Sequence, residues 1–393
     1  MFVQVHFLTS YPASLLNRDD AGLAKRINFG GAPRLRVSSQ CQKRHWRENL
    51  WGETEIPRGE RTRYFFSRVL KEGLISSGVD CDMADVLVKH LAAKIIKSSD
   101  ERSPIDPNTL MMKQPVLFGR PEADYLLALL KQAVGQNTAA EGKKFLDDAL
   151  MGKDKNFAAM LRQGGYGCMS AGFEGALFGR FVTSDILSRV DAPVHVAHAF
   201  TTHALDTEVD YFTVVDDLSR EEETGAAHAN DMELGAGIFY GYVAVDVPLL
   251  VSNVTASDAK NWRQQECGDV KDLLALLLKA ITQVSPGAKL GATAPYSWAE
   301  CVLIEVGCTQ PRTLANAFLR PVRLGWQGKH PMAQSVESLQ AYMGLLDKMY
   351  GTTSDKRFVA TIHEWSHGGV EASCSLPEAI QGSIAAAFEV VRA

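Results

Sequence analysis

From Pro57 to Leu161 the apolar residues recur at helical spacing, whereas the segments on either side carry the alternating, β-branched pattern of strands. This change of period constrains the fold more than any other feature. A block of amphipathic helices interrupting a β-rich chain has to stand as an insertion in a mixed α+β architecture. The runs YFFSRVLKEGLI, MADVLVKHLAAKII, ADYLLALLKQAV and KKFLDDALM carry the helical signal, and the turn-rich SSDERSPIDPNT interrupts it.

Around this block the chain reads as follows. Phe2–Leu8 is a strand, Tyr11–Arg36 a loop, and Ser39–Leu50 a helix. The glycine-rich Gly164–Gly179 is expected to return the chain to β structure. Strands follow at Phe181–Thr183, Val194–Thr202 and Asp210–Val215. Ser219–Leu234 is polar, with the acidic run Glu221–Glu223, and a long strand Gly237–Val247 comes after it, so a protruding hairpin or loop is expected between the two. Lys271–Val284, Ser335–Tyr350 and Leu376–Val391 read as helices, and Cys301–Val306 and Phe358–Ile362 as strands. Without the insertions the order suits a ferredoxin-like or RRM-like α+β sandwich with an antiparallel sheet.

At 393 residues the chain can bury a large core and divide into two or three lobes. No apolar run approaches bilayer length, and MFVQVHFLTSYP lacks a basic region before its apolar residues, so it reads as a strand and not as a signal peptide. Seven cysteines without paired spacing predict free thiols in a reducing cytoplasm. The net charge is -5, yet Lys25–Arg47 holds seven Lys or Arg and no acidic residue. A cationic strip on an acidic chain points to a polyanion held at one place. Gly30-Gly31 would let the backbone approach a ligand closely. Ser38-Ser39-Gln40 supplies a helix N-cap, and Lys43 and Arg47 share one face of the helix that follows, with Arg44 beside them. The plainer alternative is a solvated loop and an ordinary surface helix.

LNRDD at Leu16–Asp20, FGG at Phe29–Gly31, RVSSQ at Arg36–Gln40, GRFVTS at Gly179–Ser184, HVAHAFTTHALDTEVDYFTVVDDL at His195–Leu218 and GAGIFY at Gly235–Tyr240 stand in one order. In these motifs the chain resembles the backbone subunit of type I-E CRISPR Cascade complexes. The likeness is good over roughly residues 1–50 and 175–320 and weak elsewhere. It implies an α+β, right-hand-shaped molecule with an RRM-like palm, a large helical finger insertion and a thumb loop. On that plan residues 1–56 begin the palm, 57–170 form the fingers, 171–218 are palm strands, 219–236 the thumb, and 237–393 complete the palm.

The resemblance further implies a subunit that binds CRISPR RNA along its phosphates without reading bases, and that is not a nuclease. Its expected partners are CRISPR RNA, target DNA, copies of itself in a helical filament, and the large, small, 5′-handle-binding and RNA-processing Cascade subunits, with no membrane. Carried over by motif, Arg18, Lys25, Ser38, Gln40, Lys43, Arg44 and Arg47 are expected on the RNA backbone, with Arg34 and Arg36 as further candidates. Ala32-Pro33 departs from the family's basic pair at the turn. Phe181 is expected against the bases, the alternative being an ordinary core aromatic. Met232 and Leu234, near the far end of the thumb, are expected to help kink the strand. No cofactor is implied.

Other motifs compete with this reading. HEWSH at His363–His367 fits the H-E-x-x-H of zinc hydrolases, with His363 and His367 as ligands and Glu364 as base, but only on a helix. Here a β-like FVATI precedes it and Gly368-Gly369 follows; on a strand the two histidines would lie roughly 13 Å apart. His195, His198 and His203 read as structural histidines split between strand faces. Asp19-Asp20 reads as a cap or turn. Gly135–Lys144 misses the P-loop spacing. A generic RRM-like RNA-binding protein remains the other alternative.

Overall fold

The computed structural model describes residues 1–96, 105–150, 160–161, 163–167, 169–182, 187, 189–214, 228–325, 328–352, 354, 356–369 and 374–389. Its strands are β1 (Phe2–Ser14), β2 (Arg26–Phe29), β3 (Ala32–Val37), β4 (Gly59–Thr62), β5 (Val116–Gly119), β6 (Val194–Val196), β7 (Ala199–Thr201), β8 (Thr207–Val214), β9 (His228–Asp246), β10 (Cys301–Gly307) and β11 (Lys356–Thr361). The chain divides into two compact units. One comprises Met1–Glu53, His195–Asp246 and Lys271–Ala393; the other comprises Thr54–Val194 and Val247–Val270.

The first unit is built on a sheet of order β11-β10-β1-β9-β7-β3-β2, with β6 and β8 also pairing β9. β1 lies between β10 and β9, antiparallel to both. Val3, Val5 and Leu8 on β1 are fully buried, as an inner strand requires. Helices Pro331–Tyr350 and Leu376–Phe388 belong to this unit, as does most of Gly268–Gln283. One apolar cluster joins Leu8, Tyr240, Leu303 and Val359 to Phe318, Met332, Leu339 and Met343. The architecture is α+β with an antiparallel sheet, as expected.

A network of buried charged side chains joins three strands of this unit. Glu305 on β10 accepts from Arg357 Nε at 2.8 Å, from Arg312 Nη1 at 2.5 Å, and from His6 Nε2 at 3.3 Å. Arg357 in turn grips Asp347 through both terminal nitrogens, at 2.5 and 2.7 Å. Burial opposes the Glu305 charge, but His6 and the arginine Arg312 hold its carboxyl below the usual range. The network closes the β1–β10–β11 strands onto the helix Pro331–Tyr350.

Three expectations need correction here. The segment read as loop over Tyr11–Arg36 contains the hairpin β2–β3, with Phe29 opposite Ala32. Gly30 and Gly31 both adopt positive φ, +61° and +77°, the requirement of a two-residue primed turn. A Cβ on Gly30 would overlap the carbonyl of Leu319, so the close approach is to this chain's own backbone and not to a ligand. Of the hairpin or loop expected over Ser219–Leu234, the described part is hairpin, so the thumb is not simply a loop: Gly235 pairs Thr207 and Glu233 pairs Val209, forming a ribbon of β8 and β9. The acidic run Glu221–Glu223 lies outside the described residues. Lastly, Gly172–Phe178, expected as β structure, is a helix.

The second unit is mainly helical: Phe65–Ser76, Cys81–Ile95, Arg120–Val134, Ala139–Leu150, Gly172–Phe178 and Val247–Thr255, with the small β4–β5 ribbon. Its core stacks Phe65 on Phe118, centroids 3.7 Å apart, among Leu87, Leu91, Leu126, Leu130 and Leu146. The helical block of the sequence is thus present. The unit runs on to Val194 and recruits Val247–Val270, stretches that fall within the segments 171–218 and 237–393 assigned above to the palm.

Candidate nucleic-acid interface

The basic strip is folded into three pieces of the first unit: the loop before β2, the β2–β3 hairpin, and the helix Ser39–Leu50, here α1. Asn17 ties them together. Its side-chain carbonyl accepts from the Ser38 N–H at 3.0 Å and its backbone carbonyl accepts from the Lys25 N–H at 2.9 Å. The Lys25 carbonyl accepts from the Arg36 N–H at 2.8 Å. Ser38 has the extended backbone of an N-cap, and its hydroxyl accepts from the Cys41 N–H at 3.2 Å. On the inner face of α1, Gln42, Trp46 and Leu50 are buried at helical spacing, which fixes the direction of the helix.

His198, between β6 and β7, completes this corner. Its Nδ1 accepts from the Ser39 N–H at 3.1 Å and lies 3.3 Å from Arg36 Nη1. Burial, Arg36 and Lys25, in that order, hold its pKa below 6.5, so the ring is neutral at pH 7. Burial pushes the Cys41 thiol up while Arg44 and Lys25 pull it down. Lys25, Arg36 and the start of α1 are thus tied into one corner through the Lys25 carbonyl and His198. Two of the N–H groups that a helix start offers an anion are already engaged, by His198 and by Ser38. Recognition at this corner rests chiefly on side-chain charge.

The remaining candidates are distributed unevenly. Arg18 is exposed on the loop that Asp19 organises, with Asp19 Oδ1 accepting from Ala21 N–H at 2.9 Å and Leu23 N–H at 3.0 Å, the turn role expected of it. Gln40 is exposed, and its side chain accepts from the Ser39 hydroxyl at 3.3 Å. Arg44 is exposed and pairs with Glu48 at 2.8 Å, a contact worth about 0.3–0.5 kcal/mol and easily exchanged for a phosphate. Lys43 and Arg47 are half-buried; burial lowers the Lys43 pKa, and the Arg47 guanidinium lies 5.8 Å from the Trp51 ring centroid. Arg26 is exposed but paired with the buried Glu233, which also accepts from the Ala24 N–H.

Arg34, Met232 and Leu234 stand where the sequence did not lead us to expect them. Arg34 is 0% exposed and donates to the carbonyls of Thr201 at 2.8 Å and Phe318 at 2.9 Å. It is an internal clamp and has no surface to offer a strand. Met232, at 8% exposure, packs in a core cluster with Tyr11, Leu35 and Phe239, and the half-buried Leu234 leans on the same cluster. Both sit at the root of the β8–β9 ribbon and not at its far end. Phe181 belongs to the second unit and is 81% exposed, with the Arg189 guanidinium 5.6 Å from its ring centroid. That exposure rules out the core-aromatic alternative. Its neighbour Arg180 is buried on Glu122 at 2.7 Å.

The H-E-x-x-H segment does not form a helix. His363 Nε2 meets Glu300 at 3.0 Å, while His367 Nε2 meets Asp347 at 3.3 Å, so the two rings serve different carboxylates. Gln340 pins the loop, accepting from the Ser366 and His367 N–H groups at 2.7 and 3.0 Å and donating to the Glu364 carbonyl at 3.1 Å. Among the described residues no cluster of three His, Cys, Asp or Glu could hold a metal ion. His203 is also structural: its Nε2 accepts from the Ile238 N–H at 3.2 Å. What sequence reasoning missed was His198 as the acceptor at the helix start; a histidine in a strand-rich stretch carries no signal of that role.

A family model of CT1975-like proteins matches residues 3–382. A chain of a CRISPR RNA-guided surveillance complex, pre-nicking, is 28% identical with a TM-score of 0.78, over 99% of this chain and 100% of its own length. A chain of a CRISPR RNA-guided surveillance complex, 24% identical with a TM-score of 0.68, shares the fold over 98% and 100% of the two lengths. No curated protein matches the chain.

Proposed function

The chain belongs to the CT1975-like family, and we propose that it is the multi-copy backbone subunit of a type I-E CRISPR surveillance complex, working in the cytoplasm. In this role the first unit is an RRM-like palm, the helical unit the fingers and the β8–β9 ribbon the thumb. The palm holds CRISPR RNA by its phosphates through Lys25, Arg36, Lys43, Arg44 and Arg47, with Arg18 and Gln40 at the edge, while the buried Ser38 caps the helix that presents them. Contacts of that kind position a strand without reading its letters, which suits a subunit that must accept every guide. Phe181 meets the bases, and the thumb kinks the strand periodically. The exposed bases then pair with target DNA, so pairing reads sequence while the protein reads shape. Repeated head-to-tail contacts between copies generate a filament, to which the large, small, 5′-handle-binding and RNA-processing subunits attach. The role is structural and not catalytic.

The observation that carries this reading is the hydrogen-bonded corner that joins Lys25, Arg36 and the start of α1, in which the Lys25 carbonyl accepts from the Arg36 N–H and His198 links Arg36 to the Ser39 N–H. The likeness to a surveillance-complex chain over 99% of the length supports it. The test is size-exclusion chromatography of the chain expressed with its neighbouring genes, read by absorbance at two wavelengths, followed by sequencing of bound nucleic acid. A large particle carrying repeat-derived RNA of defined length is expected. An RNA-free monomer overturns the proposal, and a monomer holding short RNA of unrelated sequence favours a generic RNA-binding protein.

A further inference from the structure

The helical unit carries its own cationic surface, built independently of the N-terminal strip. At the start of the helical stretch 65–76, the exposed Arg61 and Arg68 and the half-buried Arg63 flank Tyr64 along the chain, and the exposed Lys113 lies on the neighbouring segment. The backbone brings them together. β4 pairs with β5 so that Arg61 faces Leu117, and Arg63 donates through Nε to the Met112 carbonyl at 2.7 Å, which sets Lys113 next to it. The Arg68 guanidinium lies 4.2 Å from the Tyr64 ring centroid, and Tyr64 remains 40% exposed. Among the described residues, no carboxylate lies within ion-pair distance of Arg61, Arg63, Arg68 or Lys113. By contrast, the nearby Arg58, Lys71 and Arg120 are each paired, with Glu60, Asp85 and Asp124.

Uncompensated like charges repel one another and cost stability, so a cluster of four on a net-acidic chain calls for an external anion. The exposed, cation-backed aromatic at its centre narrows the class of that anion. A sulfate or an acidic peptide has no use for a stacking surface, whereas an unpaired base does. Combining a basic groove with such a platform is how single strands are held without sequence preference. We infer that Tyr64, Arg61, Arg68 and Lys113 form a second nucleic-acid site on the helical unit. It takes a single-stranded segment, one base stacked on Tyr64 and its flanking phosphates on the cations. The inference does not need the palm to bind RNA.

The test is fluorescence anisotropy with labelled 20-mer oligonucleotides of DNA and RNA, single-stranded and duplex, over a salt series, using the full chain. Lys43→Ala/Arg47→Ala serves as a background in which the palm is disabled. In that background Arg61→Ala/Lys113→Ala is expected to remove the residual single-strand binding and to lower the slope of log K against log salt by about two. Tyr64→Ala is expected to weaken single strands about tenfold and duplex hardly at all. Tyr64→Phe, which keeps the ring, should bind like wild type and shows that the site is intact. Unchanged affinity and slope in the Arg61→Ala/Lys113→Ala variant overturn this inference while leaving the palm reading standing. Equal losses for duplex and single strand in Tyr64→Ala overturn the stacking role. Loss of all binding in Lys43→Ala/Arg47→Ala alone also overturns it, and assigns every contact to the palm. DNA and RNA arms of equal strength mean that the site recognises phosphate and base without the 2′-hydroxyl; a preference for one identifies the strand.

Discussion

Arg34 lies within the basic strip, yet its environment predicts a role opposite to that of its neighbours. Replacing it with Leu removes a guanidinium that is 0% exposed and leaves the Thr201 and Phe318 carbonyls, now bonded at 2.8 and 2.9 Å, without donors. Each stranded buried acceptor costs about 1–3 kcal/mol, and the third bond, to the His203 carbonyl at 3.4 Å, is too long to add much. Leucine recovers part of this through apolar burial, and removing a desolvated charge recovers more. A net loss of about 3 kcal/mol results, which lowers the melting temperature of a unit of this size by about 6–12 °C. The assay pairs thermal melting by circular dichroism with the salt dependence of RNA binding at a temperature where the variant stays folded. The slope of log K against log salt should equal that of wild type, because no phosphate contact has been lost. A variant that melts within about 2 °C of wild type and binds with a slope reduced by about one refutes the clamp and returns Arg34 to the RNA.

Other outcomes follow from the same structure. Gly30→Ala combines a left-handed backbone, costing about 1–2 kcal/mol, with overlap against the Leu319 carbonyl; it should destabilise the first unit far more than Gly31→Ala, whose Cβ meets nothing, as urea titration will show. His198, His203 and His6 all have pKa values lowered by burial, so the unfolded chain takes up protons before the folded one. Stability should therefore be full above pH 6.5 and fall as pH drops below it, and His198→Gln should make that decline shallower in melts between pH 8 and 5. Glu305→Gln takes the charge from a site facing Arg312, Arg357 and His6 and should cost about 3–5 kcal/mol by denaturant melting, a loss that a neutral hydrogen-bonding role for Glu305 would not produce.

Much of the fold was legible where local chemistry and burial agree. α1 runs over Ser39–Leu50, as expected, because Ser38 is a strong cap and Gln42, Trp46 and Leu50 repeat at helical spacing. The helical block was legible for the same reason. The β2–β3 hairpin was not, because its strands alternate charged and apolar residues over only four and six positions. Its one strong sign, the Gly-Gly turn, also fits a ligand-approach loop. The strand over 228–236 was hidden by the polarity of its segment: Glu233 there is buried against Arg26 and the Ala24 N–H. Arg34 and Arg36 look identical in sequence, and only the sheet decides that one turns inward. Phe181, expected against the bases with a core aromatic as the alternative, is exposed.

The central claim is that the corner formed by Lys25, Arg36 and the start of α1 grips ribose-phosphate indifferently to base. The most direct measurement is the affinity of wild type and of Lys25→Ala/Arg44→Ala for a panel of single-stranded RNAs of equal length and different sequence, each at several salt concentrations. The account predicts the same fractional loss on every sequence and a salt slope reduced by about two. Losses that vary with sequence, or a slope that does not move, contradict it.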